Sequence, residues 1–353
     1  TDHRWGFEDK LLEGYQYKFL KNYSPTPSYL RWPAGLVNLG VWNEIKRHKP
    51  DVVVLMSWMN PTWWLAILAC LRFKIPFLYM TDANVQSELT KAKWRLWPKK
   101  FLLGHIIFPR ASGFLCSGTS NKLMYSYYNV PDEKLFPFAY SWGYDSFIEA
   151  DQELRPQRER IRAELGIPLE SFVVLFCGRL SQEKDPMHLL QAFHHVAIPN
   201  KALVLVGDGN MRQSMQNYVA EHRLSPVFFF GFQGRQDISK FYAVADVLVL
   251  PSLKETWGIV VNEALCFGLP IVSSDMVGAS TDLVLNGYNG YIFRAGDVDG
   301  LADSIKLVGD APLAERRTMG DRSRGLIQDW IQRDPAESMV KQLDNIYPRS
   351  VVT

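Results

Sequence analysis

The sequence predicts an α/β protein made of two doubly wound, parallel-sheet domains. Three observations carry this. The chain has 353 residues, 47% of them hydrophobic, which is enough for two cores. Residues 36–145 repeat a rhythm of short apolar run, turn and helical stretch, and the same rhythm returns from Phe172 onwards. Alternating β and α units build a mostly parallel sheet with helices on both faces. Between the two series lies a charged stretch, residues 148–170, that reads as a linker with a short helix before Gly166-Ile167-Pro168.

Taken in order, Val52–Met56 is a β-branched run and the first strand. Pro61–Phe73 follows as a helix, with proline at its first turn. Leu55–Phe73 carries no charge before Arg72, yet Ser57, Asn60 and Pro61 interrupt it. About a dozen residues from Pro61 onwards are too few to cross a bilayer, so strand, turn and buried helix is the reading. Strands Phe77–Met80 and Ser112–Ser117 and a helix Ser120–Tyr128 continue the series, and residues 136–145 have no clear period. The second series places strands near 172–177, 202–206, 227–231, 246–250 and 270–273, and residues 311–346 are helical. Two such domains face each other across a cleft at the carboxyl ends of their strands. The domain division expected is 1–148, 149–330 and a terminal segment 331–353.

A net charge of +2 gives no reason to expect nucleic acid as a partner. Cys70, Cys116, Cys177 and Cys266 are widely spaced in apolar runs, with no C-x-x-C pair and no zinc pattern. Packing in a reducing compartment follows, and a cytoplasmic location with it. No secretory signal pattern is visible, and the first residue is Thr, which leaves open an incomplete or processed start. Residues 91–101 interleave Lys91, Lys93, Arg95, Lys99 and Lys100 with Trp94, Trp97 and Phe101. That pattern suits peripheral contact with an anionic bilayer or a lipid-linked acceptor, or else a solvated helix whose tryptophans pack inward.

The most informative stretch is Pro251 to Ala264, in which Glu255 and Glu263 are separated by seven residues. Glu255 falls in the loop after the strand 246–250, and Glu263 falls on the helix that begins near residues 257–259. A helix N-terminus offers unpaired N–H groups and partial positive charge to a phosphate. Glu263 sits among Val260, Val261, Ala264 and Leu265, so its carboxylate needs a partner, and a diol supplies two hydroxyls to one carboxylate. Phosphate beside a diol-binding carboxylate describes a sugar nucleotide. Arg179 and Lys184 follow the strand 172–177 in a loop containing Gly178, where two cations can neutralise a diphosphate. Gly207-x-Gly209 reads as a tight strand-to-helix turn whose backbone is a candidate ligand contact. No Asp-x-Asp follows a strand, so no metal and no cofactor are expected.

The segment 255–263 resembles the E-x7-E motif of family-4 retaining glycosyltransferases of the GT-B fold. Other segments are similar to that family in the same order: Cys177–Asp185, Val206–Gly209, Phe230–Phe232, Ile238–Ala245, Ile271–Ser274 and Asn286–Tyr291. The resemblance is strong over about residues 172–310, weaker over about 36–145, and absent over 1–35. It implies a nucleoside-diphosphate sugar donor, with UDP the default, and a glycan, lipid-linked or small-molecule hydroxyl as acceptor. It also implies that Arg179 and Lys184 stabilise the leaving diphosphate, that Glu255 faces the donor sugar, and that Glu263 holds the ribose. The amides of Thr256, Trp257, Gly258 and Ile259 would approach sugar and phosphate, and the backbone around Gly231 and Phe232 would frame the base. Asp82 stands where many relatives carry a histidine near the reacting sugar, which makes it the acceptor-side candidate. The family's N-terminal glycine pair is not recognisable in residues 1–35. The last helix is expected to return to the N-terminal domain. The rival readings are a two-carboxylate glycoside hydrolase, which would leave Arg179 and Lys184 without a purpose, and a non-catalytic sugar-nucleotide-binding protein.

Overall fold

The computed structural model describes residues 14–28, 34–90, 93–140, 143–333 and 335–346. The chain forms two compact units. Unit 1 gathers the described parts of 1–117, 121–138 and 335–353, and unit 2 those of 118–120 and 139–334. The glycine pair sought in residues 1–35 falls partly on residues outside those described, as does Lys91.

In unit 1 the order is α1 (Gly40–His48), β1 (Val53–Leu55), α2 (Pro61–Phe73), β2 (Phe77–Met80), α3 (Val85–Leu89), α4 (Lys93–Phe101), β3 (Gly113–Cys116), α5 (Thr119–Tyr127) and β4 (Leu135–Pro137). The four strands lie in the order β1-β2-β3-β4, all parallel. Helix α2 begins with Pro61 in its first turn, where no N–H is missed, and stops at Lys74 in a left-handed conformation. Its Ala66, Ile67, Ala69 and Cys70 are buried. Tyr79, Phe108, Phe114 and Tyr125 form an aromatic cluster in this core, with Phe108 and Phe114 rings 4.9 Å apart edge to face. Glu88 is buried and accepts from Lys99 Nζ at 2.7 Å on each oxygen and from the Tyr128 hydroxyl at 2.7 Å. Lys99 of the basic stretch is thus turned into the protein. Trp94, Trp97 and Phe101 are 71%, 75% and 54% exposed, so the tryptophans of α4 do not pack inward.

Unit 2 continues with α6 (Asp145–Leu154), α7 (Arg158–Glu164), β5 (Phe172–Cys177), α8 (Pro186–His195), β6 (Lys201–Val206), α9 (Arg212–Glu221), β7 (Val227–Gly231), α10 (Arg235–Val244), β8 (Val247–Leu250), α11 (Ile259–Cys266), β9 (Ile271–Ser274), α12 (Ser280–Leu283), β10 (Gly290–Phe293), α13 (Val298–Asp310) and α14 (Leu313–Ile331). Six parallel strands lie in the order β10-β9-β8-β5-β6-β7. Every residue of β5, β8 and β9 is buried, as expected for strands covered on both faces. A final helix, α15 (Pro335–Ile346), groups with unit 1, where Met339 and Leu343 pack against Leu78, Leu115 and Phe136.

One local expectation needs correction. Residues 148–170 are no linker: α6 and α7 pack on α10 within unit 2. Their charges mislead because several are spent internally. Arg162, with a side chain 4% exposed, donates to the carbonyls of Val244, Leu169 and Ser171 and to Asp246 at 2.8 Å. Residues 136–145 contain the end of β4 and the start of α6, and the turn at Asn286–Tyr291 leads straight into the strand β10. Both strands are too short for a period to show.

The four cysteines are free and buried. Burial pushes the Cys70 thiol up to about 11 and those of Cys116 and Cys266 up to about 12, so they remain uncharged packing groups. Among the described residues no helix is long and apolar enough to cross a membrane.

Candidate functional site

The site in unit 2 follows from strand order. β5 and β8 are hydrogen-bonded neighbours, yet the chain leaves β5 towards β6 and β7 and leaves β8 towards β9 and β10. This is a topological switch point, where the loops at the carboxyl ends diverge and open a crevice. The loop after β5 carries Gly178, Arg179 and Lys184, and the loop after β8 carries Glu255. The two are laced together: the carbonyl of Glu183 accepts from the N–H of Leu253 at 2.9 Å and of Lys254 at 3.2 Å.

Lys184 and Glu255 form an ion pair, with side chains 24% and 13% exposed. The two groups assigned from the sequence to different parts of a donor therefore meet each other. Arg179 is exposed and forms no ion pair among the described residues. In the same loop Asp185 Oδ2 lies 2.6 Å from His188 Nδ1, and a Glu183 carboxylate oxygen lies 4.0 Å from Lys254 Nζ.

The 255–258 loop is pressed against residues 277–279. Gly278 N–H donates to Glu255 O at 3.2 Å and Ala279 N–H to Trp257 O at 2.8 Å. A Cβ on Gly278 would lie 2.1 Å from the Thr256 carbonyl oxygen, so only glycine permits this approach. Gly258 stands at the N-cap of α11 with a φ of 95° and has no side chain with which to cap it. The first turn of α11 begins at the exposed Ile259, and the Val261 N–H donates to the Gly258 carbonyl at 2.9 Å; a helix start of this kind carries partial positive charge.

Glu263 is the fifth residue of α11. Its Oε2 accepts from the Tyr242 hydroxyl at 2.6 Å. Burial raises its pKa, while Tyr242 and Arg235 oppose that rise. The partner that the sequence argument required is thus at least partly a tyrosine of α10. Trp257 is buried; its Nε1 donates to Asn262 Oδ1 at 2.9 Å and its ring stacks on Trp330 at 5.2 Å. Its indole is core, which leaves its backbone as the part that can face a ligand. Phe232 is 61% exposed, beyond Gly231, whose φ is 70°.

Gly207 and Gly209 serve the backbone. Gly207 has a φ of 134°, and a Cβ there would lie 1.9 Å from the Gly178 carbonyl oxygen. Gly207 N–H donates to Gly231 O at 2.7 Å and Gly178 N–H to Val206 O at 2.9 Å, joining the ends of β5, β6 and β7. Gly207→Ala is expected to lower unfolding stability by about 3 kcal/mol through clash and strain. Gly234→Ala, with nothing near its added Cβ, should cost less than about 1 kcal/mol. Urea unfolding of both variants checks this, and equal midpoints would refute it.

Asp82 lies in unit 1, exposed in the loop after β2. Asn121 Nδ2 holds that loop by donating to Thr81 O at 3.0 Å, and Asn84 caps α3 by accepting from Ser87 N–H at 2.9 Å. Among the described residues no group of three or more His, Cys, Asp or Glu is arranged to hold a metal ion. Sequence reasoning did not single out Tyr242 or Asn262. Tyr242 reaches Glu263 across 21 positions of chain, and nothing in the residue types of the 255–263 segment shows that Asn262 accepts from the Trp257 indole.

Residues 157–325 match the family described as Glycosyl transferases group 1. The N-acetyl-alpha-D-glucosaminyl L-malate synthase of Bacillus anthracis is 29% identical over 209 residues, 57% of this chain and 52% of that protein. The UDP-Gal:alpha-D-GlcNAc-diphosphoundecaprenol alpha-1,3-galactosyltransferase of Escherichia coli is 32% identical over 152 residues, 41% of this chain and 38% of that one. The chain spans about half the length of the curated relatives it matches first. Among solved structures, Anabaena HepE in complex with UDP and glucose superposes with a TM-score of 0.68 at 19% identity, over 88% of this chain and 83% of that one. That likeness is one of fold, and the fold is GT-B, as the sequence predicts.

Proposed function

We propose that this chain, whose residues 157–325 match the group 1 glycosyl transferases, is a family-4 retaining glycosyltransferase that uses a UDP-sugar. The sugar passes to a hydroxyl of a glycan, a lipid-linked glycan or a small molecule. One observation carries the reading. Lys184 of the β5 loop meets Glu255 of the β8 loop at the switch point, beside the start of α11 and ahead of Glu263.

The chemistry follows from those groups. A diphosphate takes up Lys184, Arg179 and the first amides of α11, where negative charge grows as the bond to the sugar breaks. These cations do the work that a divalent ion does elsewhere, so the reaction needs no metal. Glu255, released from Lys184, accepts from donor sugar hydroxyls, and Glu263 accepts from the ribose diol. In unit 1, Asp82 is the group we assign to the acceptor. A hydrolase is not favoured, since it gives the paired cations no charge to stabilise, and an inert binding protein is not favoured, since the matched family and the Escherichia coli relative are named as transferases. UDP is supported by the Anabaena protein bound to UDP and glucose and by the Escherichia coli relative named for UDP-Gal. The latter is also named for a diphosphoundecaprenol acceptor. Such a substrate suits α4, whose Trp94, Trp97 and Phe101 are exposed beside Lys100, as a contact with the cytoplasmic face of an anionic membrane.

A panel of nucleoside-diphosphate sugars tests the reading. A UDP-sugar is expected to raise the melting temperature most and to be turned over without added metal. Proton NMR of the product is expected to show the donor's α configuration kept. Preference for sugar without nucleotide would overturn the donor assignment, and a β-linked product would overturn retention.

A further inference from the structure

The carboxylate of Glu263 is held from the core side. Tyr242, on α10, is fully buried and donates its hydroxyl to Oε2 at 2.6 Å. Its ring is itself fixed, 5.4 Å from the Phe267 ring and 6.4 Å from that of Phe147. The other groups that face the carboxylate are Arg235, Tyr144, Cys177 and Cys266. Of these, Arg235 spends its guanidinium on the Gly143 carbonyl and the Ser146 hydroxyl. Tyr242 is therefore the group that sets the direction of the carboxylate. A carboxylate offers about four acceptor positions, and one hydroxyl on Oε2 leaves the rest for a ligand.

We infer that Tyr242 is a positioning residue for the nucleoside, aiming Glu263 at the ribose diol through its hydroxyl. The inference rests on the reading of Glu263 as the diol acceptor. Burial raises the Tyr242 phenol well above its ordinary range, so it stays a donor at any working pH. Burial also raises Glu263, and the Tyr242 hydrogen bond works against that rise. The sign follows. The acceptor is anionic only above its pKa, so nucleotide binding weakens as pH falls through it. Without the hydroxyl the pKa climbs further, and the weakening begins at higher pH.

The test is UDP binding by the full chain, measured by calorimetry from neutral to acid pH. Tyr242→Phe is expected to bind UDP about tenfold more weakly at neutral pH and to lose binding at a higher pH than the unaltered chain. In a Glu263→Ala background the same change should have no further effect, because nothing remains to be aimed. Unchanged affinity and an unchanged pH profile in a folded Tyr242→Phe would overturn the inference. So would an equal loss in the Glu263→Ala background. If Tyr242→Phe does not fold, 3-fluorotyrosine placed at position 242 decides: a stronger phenol donor should hold UDP binding to lower pH than in the unaltered chain, and an unchanged profile overturns the inference. If the unaltered chain binds no nucleoside diphosphate, the donor reading itself falls, and this inference with it. Binding that ignores Tyr242 overturns this inference alone.

Discussion

Lys184→Ala is expected to lower kcat for a nucleoside-diphosphate sugar by about 100- to 1000-fold, the usual effect of removing one group that stabilises transition-state charge. Lys184 is 24% exposed, so it is desolvated enough to matter and still open to a ligand. Its loss removes a cation at the leaving group and leaves the Glu255 carboxylate without its ion-pair partner. Lys184→Arg restores charge in a planar, bulkier form and should recover activity only in part. Arg179→Ala should cost less, because Arg179 is more exposed, and the double variant should be nearly inactive. Steady-state kinetics with circular dichroism as a fold check settle the matter. Full turnover by a folded Lys184→Ala would remove Lys184 from the mechanism. Activity that requires added magnesium or manganese and vanishes with a chelator would sink the metal-free reading.

Arg162→Ala is expected to destabilise the protein by about 3–5 kcal/mol, the range for breaking a buried ion pair from one side. The Arg162 side chain is 4% exposed and donates to the Leu169 carbonyl at 2.6 Å, the Val244 carbonyl at 2.7 Å and the Ser171 carbonyl at 2.9 Å. Asp246, its partner, also accepts from Arg158 at 2.7 Å and from the Val173 N–H at 2.8 Å. The network ties α7 to the starts of β5 and β8, the strands whose far ends carry the site. Arg160→Ala is the control. Arg160 is 69% exposed and pairs with Glu164 on the same helix, which should be worth less than about 1 kcal/mol. Denaturant unfolding of the two variants compares them, and similar midpoints would show that the buried network does not hold this corner.

The sites of these two predictions were unequally legible in the sequence. Lys184 follows a clear apolar strand in a glycine-containing loop, and its charge there is informative by itself. Arg162 sits in a run of Arg, Glu and Gln that looks solvated. Only the fold shows that one of these arginines points into the protein, because burial depends on what packs across from a helix. Residues 94–101 make the same point in reverse: Lys99 turns inward to Glu88 while Trp94 and Trp97 face out.

By itself the sequence determined the alternation of strands and helices in both units and most of their positions. It did so because a parallel strand covered on both faces must be a nearly unbroken apolar run, as Phe172–Cys177 and Val247–Leu250 are, and because proline and glycine mark where helices begin and strands turn. It also placed Glu255 and Glu263 on either side of a helix start. What only the tertiary structure decided was which of these local pieces meet. The adjacency of β5 and β8 brings Lys184 to Glu255 across 71 positions of chain. The packing of α10 brings Tyr242 to Glu263, and the close approach of two backbones makes Gly207 indispensable to the Gly178 loop. Strand order and burial are set by long-range packing, and no local pattern of residue types encodes them.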